Sequence, residues 1–337
     1  MYYDFHLHTS FSSDSQAPME SMIQRGIALG LPGICFTEHM DLDFPPGELN
    51  FLVDLPAYEK TCRELKEKYA DTISVFFGLE MGLQPHLKKE IPTLAASSDF
   101  DFLIGSVHVA DRLDPYKKNF YEDRTQYQAY HRYFEVVLEN LKTFSCFDTC
   151  GHIDYVVRYG PEKNKDYSYW AYRDILDEIL KTLIEKGIGL ECNSAGFKYG
   201  LGHPNPTEDI LTRYRELGGE ILTLGSDGHT PEHMAYDFPK MGELLKACGF
   251  RYYTIFKKRK PESFKNQISS LKKAAVSDDF PLIQQPFFLS AYSLCFSQNN
   301  AASCHIFALI KDDSLSRRDG SLRFLKSHYY LSVTCIL

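Results

Sequence analysis

Short apolar runs rich in β-branched and aromatic residues alternate along the chain with longer stretches whose apolar positions recur every three or four residues. The short runs predict strands over residues 2–8, 33–39, 73–80, 100–108, 147–154, 188–193 and 221–227, and the longer ones predict helices over 19–29, 58–69, 121–141, 169–186, 208–217 and 231–248. Gly, Pro and Asp punctuate the connections. This is the rhythm of βα units, which pair their strands in parallel and close into an α/β sheet or barrel. One more run, Tyr252-Tyr253-Thr254-Ile255-Phe256, reads as a strand without any candidate ligand, and the basic Lys257-Lys258-Arg259-Lys260-Pro261 after it looks like the end of a domain.

Beyond about residue 267 the texture changes. Serine becomes frequent, Gly320 is the only glycine, and the strand–helix punctuation stops. The expected organisation is therefore a body over 1–266 and an atypical C-terminal extension over 267–337, read either as a frameshift- or readthrough-like addition or as an oligomerisation or lid segment. With 337 residues, 44% of them hydrophobic and 24% charged, the chain has ample material for a packed core and is not a disordered sequence. A net charge of −8 argues against general attraction to nucleic acid or to anionic membranes. The first residues lack the basic and apolar regions of a secretory leader, and the apolar stretch over 281–296 is broken by Gln284, Gln285 and Pro286, so no membrane segment is expected. Nine scattered cysteines without a C-x-x-C pair read as reduced thiols of a cytoplasmic protein.

Candidate chemistry collects at the strand ends. The first strand ends His6-Leu7-His8 and is followed by Asp14; the second ends Thr37-Glu38-His39, the third Gly78-Leu79-Glu80, the fourth Gly105-Ser106-Val107-His108. The fifth contains Gly151-His152-Ile153-Asp154, and the seventh runs into Ser226-Asp227-Gly228-His229. Period-two alternation puts His6 and His8 on one face of their strand and Phe5 and Leu7 on the other. In a barrel the C-terminal strand ends meet at one mouth, so ligands far apart in sequence converge there. His6, His8, Asp14, His39, Glu80, His108, His152, Asp227 and His229 are more ligands than one ion can use. More than one metal is implied, with Glu80 and Asp227 as natural carboxylate bridges. Imidazole and carboxylate ligation without thiolate suits Zn, Mn or Fe.

In this order the motifs resemble the polymerase and histidinol phosphatase (PHP) family, and within it the histidinol-phosphate phosphatase branch, over roughly residues 1–265. The resemblance implies a distorted (β/α)7 TIM-like barrel with a trinuclear metal site at the C-terminal strand ends. His6, His8, Glu80 and Asp227 would hold one ion, Glu80, His108 and His152 a second, and Asp14, His39 and His229 a third. The implied reaction is hydrolysis of L-histidinol phosphate to L-histidinol and phosphate in histidine biosynthesis.

A phosphate monoester needs cations to neutralise its oxygens and a strong nucleophile at neutral pH, and divalent metals supply both, which favours direct hydroxide attack. Glu80, Asp227 and His229 form the expected catalytic set. Arg158, after the fifth strand, is placed to clamp phosphate through its planar fork. Asn193 and His203 are expected to contact substrate, with loop capping as the other reading of each, and Cys192 and Ser194 are the alternative nucleophiles. His86, His131, His233, His305 and His328 read as surface or packing residues, and the tyrosine-rich stretch over 116–133 as helix packing. The competing functions are another PHP-type phosphoesterase acting on phosphotyrosine or a nucleotide, an amidohydrolase-like deaminase or amidase, and a non-catalytic metal-binding barrel. The expected partner is a small-molecule phosphate monoester.

Overall fold

The computed structural model describes residues 2–47 and 49–266; the expected extension over 267–337, with His305 and His328, lies outside the described residues. The elements follow one another as β1 (Asp4–Leu7), α1 (Met19–Ala28), β2 (Gly33–Met40), α2 (Leu55–Lys68), β3 (Ser74–Gly82), α3 (Glu90–Ala95), β4 (Phe102–Ser106), α4 (Gln126–Thr143) and β5 (Thr149–Cys150). Then come α5 (Arg173–Lys186), β6 (Gly189–Asn193), α6 (Ala195–Lys198), α7 (Glu208–Glu216), β7 (Leu222–Gly225), α8 (Phe238–Ala247), β8 (Tyr252–Lys257) and β9 (Lys260–Lys265). Strands β1 to β7 form one sheet in sequence order, each pair parallel. Leu7 bridges to Gly228 in parallel, with the His8 N–H donating to the Gly228 carbonyl at 3.0 Å, so the first and last strands meet. The sheet thereby curls into the nearly closed, distorted (β/α)7 barrel that the strand–helix rhythm and the family motifs predict.

Aromatic rings fill the N-terminal half of the barrel. Phe5 packs on Phe76 and Phe102 with centroids 5.0 and 5.4 Å apart, and Phe256 of β8 stacks on Phe102 at 5.3 Å. The antiparallel β8–β9 hairpin closes this end. Its turn donates the Lys258 N–H to the Asp101 carboxylate and the Arg259 N–H to the Asp101 carbonyl, and the Arg259 guanidinium bonds Asp148. The opposite end, where the strands finish, stays open as the mouth.

The differences from the predicted elements have local causes. Phe5 turns into the barrel together with His6 because the β1–β2 register shifts between Asp4 and Leu7, and an irregularity of this kind breaks strict alternation. Strand β5 is two residues long: after the Gly151 N–H donates to the Gly105 carbonyl, the chain leaves the ladder and winds into a 3₁₀ turn over Tyr155–Arg158. His152 and Asp154 thus sit beyond the strand rather than in it. Helix α4 starts at Gln126 because Thr125 and Gln128 form a capping box. The segment over 231–248 breaks into a 3₁₀ turn, Pro231–His233, and α8, with Asp237 at φ 55° between them. Among the described residues no helix is long and apolar enough to cross a membrane.

Candidate metal centre at the barrel mouth

The strand ends converge on the Glu80 carboxylate, which is fully buried at the end of β3. Its Oε2 lies 3.1 Å from His6 Nε2, 3.3 Å from His8 Nε2 and 3.1 Å from His39 Nδ1. Its Oε1 lies 3.0 Å from His152 Nε2 and 3.3 Å from His108 Nε2, and also accepts the Ser106 hydroxyl at 2.6 Å. Imidazoles from three strand ends and the β5 loop therefore surround one carboxylate. Asp227 faces the same group from the β7 side, its Oδ1 3.9 Å from His6 Nε2, 3.6 Å from His8 Nε2 and 3.6 Å from His229 Nδ1. Asp14 closes the outer edge, 3.0 Å from His229 Nε2 and 3.6 Å from His39 Nε2. The rings of His39 and His229 stack on His8 with centroids at 4.2 and 4.3 Å. All nine ligands expected from the sequence are brought together.

Local structure explains why they point inward. Asp227 adopts φ 51°, a left-handed conformation that Asp tolerates better than most residues, and this turns the chain over the end of β7. Gly225, two residues earlier, has no room for a side chain, because a Cβ there would run into His6 and the Glu191 carboxylate. Ser226 donates to the buried Asp4 carboxylate, which fastens the β7 turn to β1.

Residues behind the cluster hold its side chains in place. Glu191 on β6 accepts His6 Nδ1–H at 2.6 Å and the His152 backbone N–H at 2.8 Å. Asp41 accepts His108 Nδ1–H at 2.7 Å, and a Cβ at Gly82 would collide with that carboxylate. Such partners set the tautomer of a ligating imidazole and its basicity. The signal for Glu191 and Asp41 was present in the sequence as carboxylates within or just after apolar strands, where an unpaired charge is rarely tolerated. Lys198 on α6 was also missed: it reaches the mouth from a short helix and donates to the Asp227 carbonyl at 3.1 Å.

The electrostatics suit cation binding. Burial disfavours ionisation of Glu80, yet His6, His108 and His39 hold its pKa well below the carboxylate range. Asp227 is likewise depressed against its burial by Arg158, His6 and His229. His8 is pushed down by burial and by its neighbours His39 and His229, which favours the neutral imidazole that ligates a metal. Several buried donor atoms, His6 Nε2, His8 Nε2, His39 Nδ1, Glu80 Oε2 and Asp41 Oδ2, have no hydrogen-bond partner among the described residues. Orphaned polar atoms aimed at one another in a dry site cost stability unless a cation satisfies them, and this oxygen and nitrogen donor set fits divalent metal ions.

A cavity of about 800 Å³ opens above the cluster. Arg158 lines it, 2% exposed, with Nη1 donating to Asp227 Oδ2 at 2.7 Å, Nε donating to Asn205 Oδ1 at 2.9 Å and Nη2 without a partner among the described residues. Asn193 and His203 are placed differently from their expected substrate role. Asn193 is fully buried beneath the cluster, where its amide donates to Glu191 and accepts the Ala195 N–H, so it caps the β6 turn. His203 does not line the cavity; its Nδ1 bonds the Pro204 carbonyl and it lies beside Asp154. Cys192 and Ser194 are also buried away from the cavity, and burial pushes the Cys192 thiol up, out of the nucleophilic range. His233, expected to be an ordinary surface residue, lines the mouth near Lys198 and His229.

The PHP domain model matches residues 4–195. The histidinol-phosphatase of Lactococcus lactis subsp. lactis is 34% identical over 269 residues, which cover 79% of this chain and 98% of that protein. A probable histidinol-phosphatase of Clostridium acetobutylicum is 31% identical over 263 residues, 77% of this chain and 98% of its own length. Among solved structures, the L. lactis histidinol phosphate phosphatase complexed with Zn, L-histidinol and phosphate superposes with a TM-score of 0.73 at 34% identity, covering 78% of this chain and all of that one.

Proposed function

The chain belongs to the PHP domain family, and from that membership together with the geometry of its mouth we infer that it is a metal-dependent histidinol-phosphate phosphatase, hydrolysing L-histidinol phosphate to L-histidinol and phosphate. The observation that carries the reading is the Glu80 carboxylate ringed by the nitrogens of His6, His8, His39, His108 and His152, with a buried guanidinium beside it. It is supported by the L. lactis relative, whose structure holds Zn, L-histidinol and phosphate.

The donor set would hold three divalent ions, Zn, Mn or Fe: His6, His8, Glu80 and Asp227 one, Glu80, His108 and His152 another, Asp14, His39 and His229 the third. Bound there, divalent ions lower the pKa of water toward neutrality and neutralise phosphate oxygens. The protein's own part is positioning. Arg158 offers its unpartnered Nη2 to a phosphate oxygen while Asp227 and Asn205 fix the plane of the guanidinium. Glu191 and Asp41 lock the rings of His6 and His108, so the ligand lone pairs stay aimed at the centre. Glu80 and Asp227 remain ionised and bridge the donor groups, and His229 sits where Asp14 and Asp227 meet. The aromatic walls Phe44, Phe51, Tyr155 and Tyr199 shield the centre from bulk water and offer flat faces to an imidazole.

The test is phosphate release from L-histidinol phosphate by the purified chain, before and after chelation, with metal content measured on the same sample. Release that chelation abolishes and added metal restores is the expected result. Bound metal with no release from this ester, but turnover of phosphotyrosine or a nucleotide, would move the substrate assignment elsewhere in the family.

A further inference from the structure

We propose that Asp114 recognises the ammonium group of the substrate and makes the site selective for amino-bearing phosphate monoesters; this rests on the histidinol-phosphate reading above.

The case begins with charge. Arg112, Lys117, Arg158 and Lys198 all line the cavity, a setting that attracts a phosphate dianion and repels a second cation on the same molecule. L-Histidinol phosphate carries such a cation, an ammonium close to the phosphate ester. A carboxylate must therefore face it, because an unpaired ammonium drawn out of water would weaken binding.

Four carboxylates line the cavity: Asp14, Asp41, Asp114 and Asp227. Three are committed. Asp14 and Asp227 face the histidine cluster, and Asp41 is bonded to His108 at 2.7 Å while facing His39. Asp114 is the remaining one. It stands on the β4–α4 loop, half-buried, in electrostatic reach of Lys117 on its own loop, of His108 and Asp41 on one side and of Tyr155 on the other, and no side chain forms an ion pair with it among the described residues. That places it beside the metal-ligand cluster without being part of it. One of its oxygens, Oδ1, accepts the Tyr116 N–H at 2.8 Å, which fixes the carboxylate; Oδ2 has no hydrogen-bond partner among the described residues. Burial holds its pKa above the usual value, so a cation arriving from the substrate gains a partially desolvated partner. The same loop carries Tyr116, 60% exposed on the rim and packed edge-on against Tyr159, an available face for the imidazole end of the ligand.

The experiment compares kcat/KM for L-histidinol phosphate and for its deamino analogue, imidazolylpropyl phosphate, in the wild type, Asp114→Asn and Asp114→Glu holoenzymes. The expected result is that Asp114→Asn lowers the ratio of the two values by about tenfold to a hundredfold, as loss of one charge-assisted contact predicts, and that Asp114→Glu restores part of it. Equal losses on both esters would mean a structural role and would overturn the proposal, as would an unchanged ratio. A wild type that leaves L-histidinol phosphate intact while hydrolysing other monoesters overturns the underlying substrate reading, and the proposal with it.

Discussion

At the residue scale the centre is a set of donors that cannot satisfy one another. Five imidazoles meet a single carboxylate at 3.0 to 3.3 Å, and three of the nitrogens that face it, His6 Nε2, His8 Nε2 and His39 Nδ1, have no hydrogen-bond partner among the described residues. What keeps them so aimed is the layer behind, above all Glu191, which bonds the side chain of His6 and the backbone of His152. Glu191→Gln keeps the volume but replaces the charged acceptor, and tautomer control over His6 is lost. We expect metal affinity, read by chelator competition, to fall by about 10- to 100-fold, with a parallel loss of phosphate release. Unchanged affinity would show that the pair is packing only.

At the element scale, helices are fastened to one another by a few polar clasps as well as by apolar faces. Asp177 on α5 accepts both Nε and Nη2 of Arg213 on α7, at 2.8 and 2.7 Å, and the Tyr169 hydroxyl at 2.7 Å. The Arg213 hydrogen bonds, reinforced by Tyr169, draw the Asp177 pKa down to about 2 against the opposing effect of burial. A carboxyl whose pKa is lower in the folded chain stabilises the fold above its ordinary pKa and loses that contribution as pH falls toward its folded value. Asp177→Asn is therefore expected to cost about 1 kcal/mol in urea unfolding at pH 7, and the gap to the wild type should close progressively below about pH 4. A gap that stays constant with pH would mean that charge plays no part in the clasp.

At the scale of the whole molecule, the described residues form one barrel: aromatic packing and the β8–β9 hairpin close one end, and the histidine cluster and its cavity occupy the other. The curated relatives from L. lactis and C. acetobutylicum are each covered over 98% of their length by under four-fifths of this chain. We propose that residues 1–266 contain everything the reaction needs. A chain ending at residue 266 is expected to match the full chain in metal content and in kcat/KM for L-histidinol phosphate, within about twofold; a larger loss would assign the remaining residues a part in the site.

The gathering of the strand-end His, Asp and Glu residues was legible in the sequence because a βα rhythm announces which residues finish strands, and only one end of a parallel barrel gathers those finishes. His6, His8, His39, Glu80, His108, His152, Asp227 and His229 all follow apolar runs, so their type and position sufficed without any knowledge of distance. Asn193 and His203 carried the same kind of signal and were misplaced by it: a polar residue after a strand can equally cap the turn beneath the mouth, and sequence spacing does not report depth. The inward turn of Phe5 was hidden for a related reason, since a register shift in β1 is a property of strand pairing and leaves no mark in the period-two pattern. Glu191, Asp41 and Lys198 took their meaning from His6, His108 and Asp227, which lie 185, 67 and 29 residues away in sequence. Chemistry that depends on residue type was thus written along the chain, whereas which carboxylate enters the histidine cluster, which backs a histidine and which lines the cavity was decided by closure of the barrel, because those places differ only in distance and burial.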